Sequence, residues 1–129
     1  MARYLSDEWL AALDDAAQQS SALRTATAGV HLVVQHVVSG APSGDVSYHV
    51  VIDDGVVRFR PGVADDATVT CRQDHATAVA VAKGELSAQA AFLNGTMSVR
   101  GDLTTLAAHG DALTGVDGAL DSVRAATEF

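Results

Sequence analysis

The chain has 129 residues and a formal net charge of −8, a length that suits one domain, spanning residues 1–129, with one core and no proline- or serine-rich linker to divide it. Its eight lysines and arginines are scattered rather than striped, which argues against a nucleic-acid partner, and overall repulsion from anionic headgroups leaves at most transient membrane contact. Cys71 is the single cysteine, so no intramolecular disulfide is expected, and the absence of a secretory apolar stretch before Asp7 and of any run of ~20 apolar residues points to a cytoplasmic protein.

Ser6 is placed to cap a first helix in which Asp7 and Glu8 face the positive end of the helix dipole, while Trp9, Leu10, Leu13, Ala16 and Ala17 form one apolar face. Residues 18–29 are polar and Ala/Thr-rich, with room for one short helical turn. Val30 to Val38 is strongly β-forming and apolar on both faces, the pattern of a central strand. Ser39 to Asp45 reads as a loop. Beyond it, Val46, Tyr48, Val50 and Ile52 alternate with Ser47, His49 and Asp53, and Asp54-Gly55 is a two-residue hairpin signal, because a type I′ turn needs positive φ at both positions. A loop of that length pairs Ile52 with Val57, Val50 with Phe59, Val51 with Arg58 and His49 with Arg60.

Residues 61–67 form a second loop and Thr68 to Arg72 a short strand with Val69 and Cys71 inward, followed by a helix opened by Gln73 or Asp74 that stops at Gly84. A further apolar helix covers Leu86 to Leu93 and ends at Asn94-Gly95; Thr96 to Arg100 alternates as a strand; Gly101 breaks it, and Asp102 caps a helix begun by Leu103 and Leu106. Leu113, Val116, Leu120 and Val123 are available to line a glycine-punctuated terminal segment whose order depends on packing.

The order Gly84, Ala91-Phe92, Gly95, Met97, Val99, Gly101-Asp102 resembles the signature of the sterol carrier protein 2 lipid-transfer family: a helix ending in Ala-Phe, a glycine, an alternating strand, and a Gly-Asp step before a Leu-rich helix. The resemblance covers most of the chain and is loosest over the first thirty residues and the last fifteen. It implies an α+β fold in which a five-stranded mixed sheet of order 3-2-1-4-5 is covered on one face by helices. It also implies an apolar tunnel between sheet and helices, with the C-terminal segment as its lid. The ligand implied is a fatty acid, an acyl-CoA or a sterol-like lipid, with no cofactor and no catalysis. Heavy use of Ala, Val, Gly, Asp and Arg over Lys fits a high-GC bacterial genome, which favours an acyl lipid over a sterol.

A lipid site needs apolar walls with space between them, and the helices facing this sheet carry the small residues Ala76, Val79, Ala80, Ala88 and Ala91. An empty apolar void costs stability, on the order of 24 cal/mol per Å3, and a filling acyl chain gains roughly 0.8 kcal/mol for each methylene withdrawn from water. Small residues serve close helix–sheet packing equally well, and the family resemblance decides for the tunnel. The candidate wall is Val34, Tyr48, Val50, Phe59, Val79, Leu86, Phe92, Leu93, Met97, Val99, Leu106 and Leu113, with Phe92 and Met97 at signature positions and Gln89 as a polar group for a ligand head.

The five histidines carry no metal-binding spacing, and His31 and His36, five apart on a strand, point to opposite faces. His36 shares its face with Leu32 and Val34, and with Tyr48 on the neighbouring strand makes the best acid/base pair available. That pair supports the alternative of a small enzyme or biosynthetic accessory protein using the same pocket. Buried structural roles are the simpler account of both His36 and Cys71.

Overall fold

Side-chain oxygens mark where the helices begin. In the computed structural model, which describes residues 2–42, 44–86, 88–109, 121–125 and 127–128, Ser6 accepts from the Trp9 amide at 3.1 Å to open α1 (Asp7–Gln19) and Ser20 accepts from Leu23 at 3.1 Å to open α2 (Ser21–Ala26). Asp74 accepts from Thr77 at 2.8 Å to open α3 (His75–Ala82), and Asp102 accepts from Thr105 at 3.0 Å to open α5 (Leu103–Ala108). The other helices among the described residues are α4 (Ala88–Leu93) and α6 (Asp121–Ala125).

Five strands form the main sheet: β2 (His31–Ala41), β3 (Gly44–Asp53), β4 (Val56–Pro61), β5 (Val69–Asp74) and β6 (Met97–Gly101). Their order across the sheet is β4-β3-β2-β5-β6, which is 3-2-1-4-5 counted along the chain, with β2 and β5 parallel and the other neighbours antiparallel. The central position of β2 agrees with its two-sided apolar character. The chain ends pair separately, β1 (Ala2–Arg3) lying parallel to β7 (Thr127–Glu128).

The β3–β4 hairpin has the expected register, Ile52 opposite Val57, Val50 opposite Phe59, Val51 opposite Arg58 and His49 opposite Arg60. Its turn has φ of 45° at Asp54 and 89° at Gly55, as a type I′ turn requires. The expected loop from Ser39 to Asp45 is largely strand instead: β2 runs to Ala41, which pairs with Gly44. Gly40, at φ 71°, absorbs a register shift between Val38 and Ala41, and its amide donates to Asp45 Oδ1 at 3.2 Å. A bulge of this kind extends pairing through residues whose composition reads as a loop.

Leu32, Val34 and Val38 of β2, Tyr48, Val50 and Ile52 of β3, Val57 and Phe59 of β4 and Val69 and Cys71 of β5 are buried on one face of the sheet. The α1 stripe of Trp9, Leu10, Leu13 and Ala17 joins them in the core, α3 lies on β2 and β5, α4 lies on β6, and α6 packs on α1 and contributes Val123. Helix α1 also closes the outer edge of β4: Gln18 Nε2 donates to the Val57 carbonyl at 2.7 Å, and Asp14 Oδ1 accepts from the Phe59 amide and from Arg58 Nε, both at 3.1 Å. Edge groups that would otherwise offer themselves to another strand are thus occupied. On the opposite face Gln35, 3% exposed, donates through Nε2 to the carbonyls of Tyr48 at 3.0 Å and Gly62 at 3.2 Å and accepts from the Ala64 amide at 2.7 Å, pinning the β4–β5 loop to the sheet.

Candidate functional site

Alternation along the five strands sends one set of side chains to the helix side: Leu32, Val34, His36 and Val38 from β2, Tyr48, Val50 and Ile52 from β3, Val57 and Phe59 from β4, Val69, Cys71 and Gln73 from β5, and Met97 and Val99 from β6. None is an aspartate, glutamate, lysine or arginine. Of the expected wall, Val34, Tyr48, Val50, Phe59 and Met97 are buried in this core. Val79, Leu86, Val99 and Leu106 are half-buried and packed against it. These residues come together from three strands of the meander, from β6, and from the segments that follow β5 and β6. No local stretch of sequence holds more than a part of the set.

Phe92 and Leu93 stand elsewhere, 44% and 75% exposed. Ala91, fully buried, is the inward residue of α4, and at about 100° per residue the next two positions turn away from the side that Ala91 faces. This departs from the inward placement expected of both. Gln89 falls within α4 but its side chain lies outside the described residues, and Leu113 and the rest of the expected lid at 110–120 lie outside them altogether.

An aromatic series crosses the helix–sheet interface. Tyr4 and Trp9 meet edge-on with centroids 4.8 Å apart, Trp9 meets Tyr48 edge-on at 5.5 Å, and Tyr48 stacks on His36 at 4.8 Å with the planes 11° apart. Tyr4 also lies 6.1 Å from the His75 ring at the start of α3. Neighbouring strands place His36 directly between Tyr48 and Cys71. Burial acts on all three: it lowers the His36 pKa to about 4, pushes the Cys71 thiol up to about 11 and holds the Tyr48 hydroxyl well above its ordinary value. Each group is thereby held in its neutral form at neutral pH. His36 Nδ1 and Gln73 Oε1 are buried without a hydrogen-bond partner. Sequence patterning missed Gln73, whose place beyond the expected end of its strand concealed its inward direction.

Among the described residues the remaining polar groups do not converge on a reaction centre. His31 lies on the opposite face, paired with Asp53 at 2.9 Å. Among the described residues no group of three His, Cys, Asp or Glu side chains is placed to hold a metal ion, and no helix is long and apolar enough to cross a membrane.

Solved structures share this arrangement at low identity. The solution structure of a conserved hypothetical protein from Thermus thermophilus superposes with a TM-score of 0.77 at 20% identity, over 95% of this chain and 91% of that one. A crystal structure of sterol carrier protein 2 gives 0.76 at 20% identity, over 95% and 98%. A ubiquinone synthesis protein, UbiJ-SCP2, gives 0.59 at 21% identity, over 85% and 86%. No curated protein matches the sequence. Residues 11–113 match the SCP-2 sterol transfer family, a span running from α1 through the whole sheet and α5, and with it the fold, the strand order and the signature glycines agree: the chain belongs to that family.

Proposed function

We propose that this chain is a cytoplasmic lipid carrier, a single domain that holds an acyl or sterol-like lipid between the sheet and the helices and catalyses no reaction. The observation that carries the reading is the helix side of the sheet: the strand side chains from Phe59 to Met97 and Val99 are uncharged, and Val79, Leu86 and Leu106 pack against the core they form while staying only half-buried. Apolar side chains that keep exposed area gain by covering it with a lipid chain, which itself gains roughly 0.8 kcal/mol for each methylene withdrawn from water. Membership of a sterol transfer family supports the same use of that surface.

A second reading, a biosynthetic accessory or small enzyme acting through His36 and Tyr48, draws support from the ubiquinone synthesis protein among the structural neighbours. The chemistry of the pair favours the carrier. A general acid/base works best with a pKa near the ambient pH, whereas His36 sits at about 4 and Tyr48 far above neutrality. Native mass spectrometry of the purified protein, followed by extraction of whatever co-purifies, tests the proposal. A stoichiometric lipid is expected; an apo mass unchanged by added fatty acid, acyl-CoA and sterol counts against it.

A further inference from the structure

Two buried polar atoms on one face of the sheet need explaining, because native proteins seldom leave such atoms unpaired. His36 Nδ1 and Gln73 Oε1 are in this position. In the parallel pairing of β2 with β5, His36 lies beside Cys71 and Gln73 follows two residues on, so the two side chains share the helix side as diagonal neighbours, their Cα atoms about 8 Å apart for strands ~4.8 Å apart with a rise of ~3.3 Å per residue. Across β6, Cys71 faces Val99 and Gln73 faces Met97, which bring no strong donor. Gln73 is 8% exposed and His36 as a residue is half-buried, with its Nδ1 atom shielded from solvent.

We propose that His36 and Gln73 form the headgroup subsite of this lipid-binding surface and that it selects a neutral lipid bearing a hydroxyl over an ionised fatty acid. The inference rests on the carrier reading and adds the ligand class. His36 is a neutral imidazole at neutral pH, and with its proton on Nε2 the Nδ1 atom accepts, as Gln73 Oε1 does. A hydroxyl donates to either and, being an acceptor as well, also serves the other imidazole tautomer. A carboxylate offers only acceptors and a full charge, and the strands send no lysine or arginine to the helix side to balance it; Arg124 of α6 donates through Nε to the Ala82 carbonyl at 2.6 Å, at the far end of α3 from Gln73. A linear alcohol and a sterol present the same O–H group.

Displacement of the neutral dye Nile red at pH 7.5 by 1-decanol, cholesterol, decanoate and methyl decanoate, on wild-type protein and on H36F/Q73L, tests this. One of the two alcohols is expected to compete at least ~10-fold more tightly than decanoate, and to lose about tenfold in H36F/Q73L while methyl decanoate changes little; whichever alcohol does so names the skeleton. Decanoate binding as tightly as both alcohols, or alcohol binding unchanged in the double variant, overturns the subsite and leaves the carrier intact. Failure of the dye and of every competitor to bind wild-type protein overturns the carrier, and the subsite with it. Should H36F/Q73L not fold, 1H–15N spectra of the wild-type histidines decide: the His36 Nδ1 resonance moves on adding the bound alcohol, and an unmoved resonance refutes the proposal.

Discussion

Replacing Gly101 by alanine is expected to cost far more than replacing Gly95, although both are signature glycines with positive φ. At Gly95 (φ 79°) an added Cβ meets nothing within 4 Å, so G95A carries only the left-handed backbone penalty, ~1–2 kcal/mol. At Gly101 φ is 121°, and the Cβ would overlap the Thr68 carbonyl oxygen and lie 2.9 Å from Val69 Cα. Those are backbone atoms, with no rotamer by which to yield. The end of β6 must therefore move off β5, endangering the pairing of Gly101 with Val69 and the Asp102 amide bond to the Thr68 carbonyl at 2.9 Å. Backbone strain of ~1–3 kcal/mol and a lost hydrogen bond of ~0.5–1.5 kcal/mol give about 3 kcal/mol, roughly 10 °C in Tm for a domain of this size. Urea unfolding of wild type, G95A and G101A measures it, with the m-value expected unchanged. If G101A falls within ~0.5 kcal/mol of G95A, the close approach of β5 and β6 does not constrain this position and the reasoning fails.

Asp14→Ala removes the acceptor for the Phe59 amide and Arg58; ~1–2 kcal/mol of stability should go, and sedimentation should detect concentration-dependent association through the opened edge of β4. Gln35→Leu is expected to lose ~2–3 kcal/mol and to speed hydrogen exchange at the Ala64 amide, which donates to Gln35 at 2.7 Å; unchanged protection there contradicts the role given to Gln35. Because the folded pKa of His36, about 4, lies below the ordinary 6.5, the unfolded chain binds a proton that the native chain refuses between those values. Stability should fall by ~2–3 kcal/mol as pH drops through that window, and His36→Phe should flatten this part of the urea midpoint profile relative to wild type.

What could be read directly from the residues is what local chemistry dictates. Asp54-Gly55 determined a turn, the turn determined a register, and apolar partners on one face agreed with it residue by residue. Ser6 and Asp102 announced helices because a short oxygen side chain ahead of an apolar stripe has few other uses, and of the two openers offered for α3, Gln73 and Asp74, the structure uses Asp74. Ser39 to Asp45 misled because a glycine that ends one strand and a glycine that bulges it look alike in sequence. Phe92 was expected inside from its signature position and Leu93 from its apolar type, yet a helix of six residues can turn only part of its surface inward, and Ala91 occupies that part. The stacking of Tyr48 on His36 and the isolation of Gln73 depend on neighbours far away in the chain, which spacing along one strand does not encode.

The small parallel pairing of β1 with β7 has a consequence for how the molecule comes apart. Arg3 sits beside Glu128 in that ladder, and α6, just before β7, leans on α1, just after β1. Segments at opposite ends of the sequence therefore form one cooperative unit, and fraying at either end removes the partner of the other. Closing so large a ring is entropically the most demanding contact in the fold, so it belongs among the last to form and the first to open. An endoprotease or a destabilising change that acts near one terminus should register at the other, as paired loss of protection at positions that are neighbours only in space.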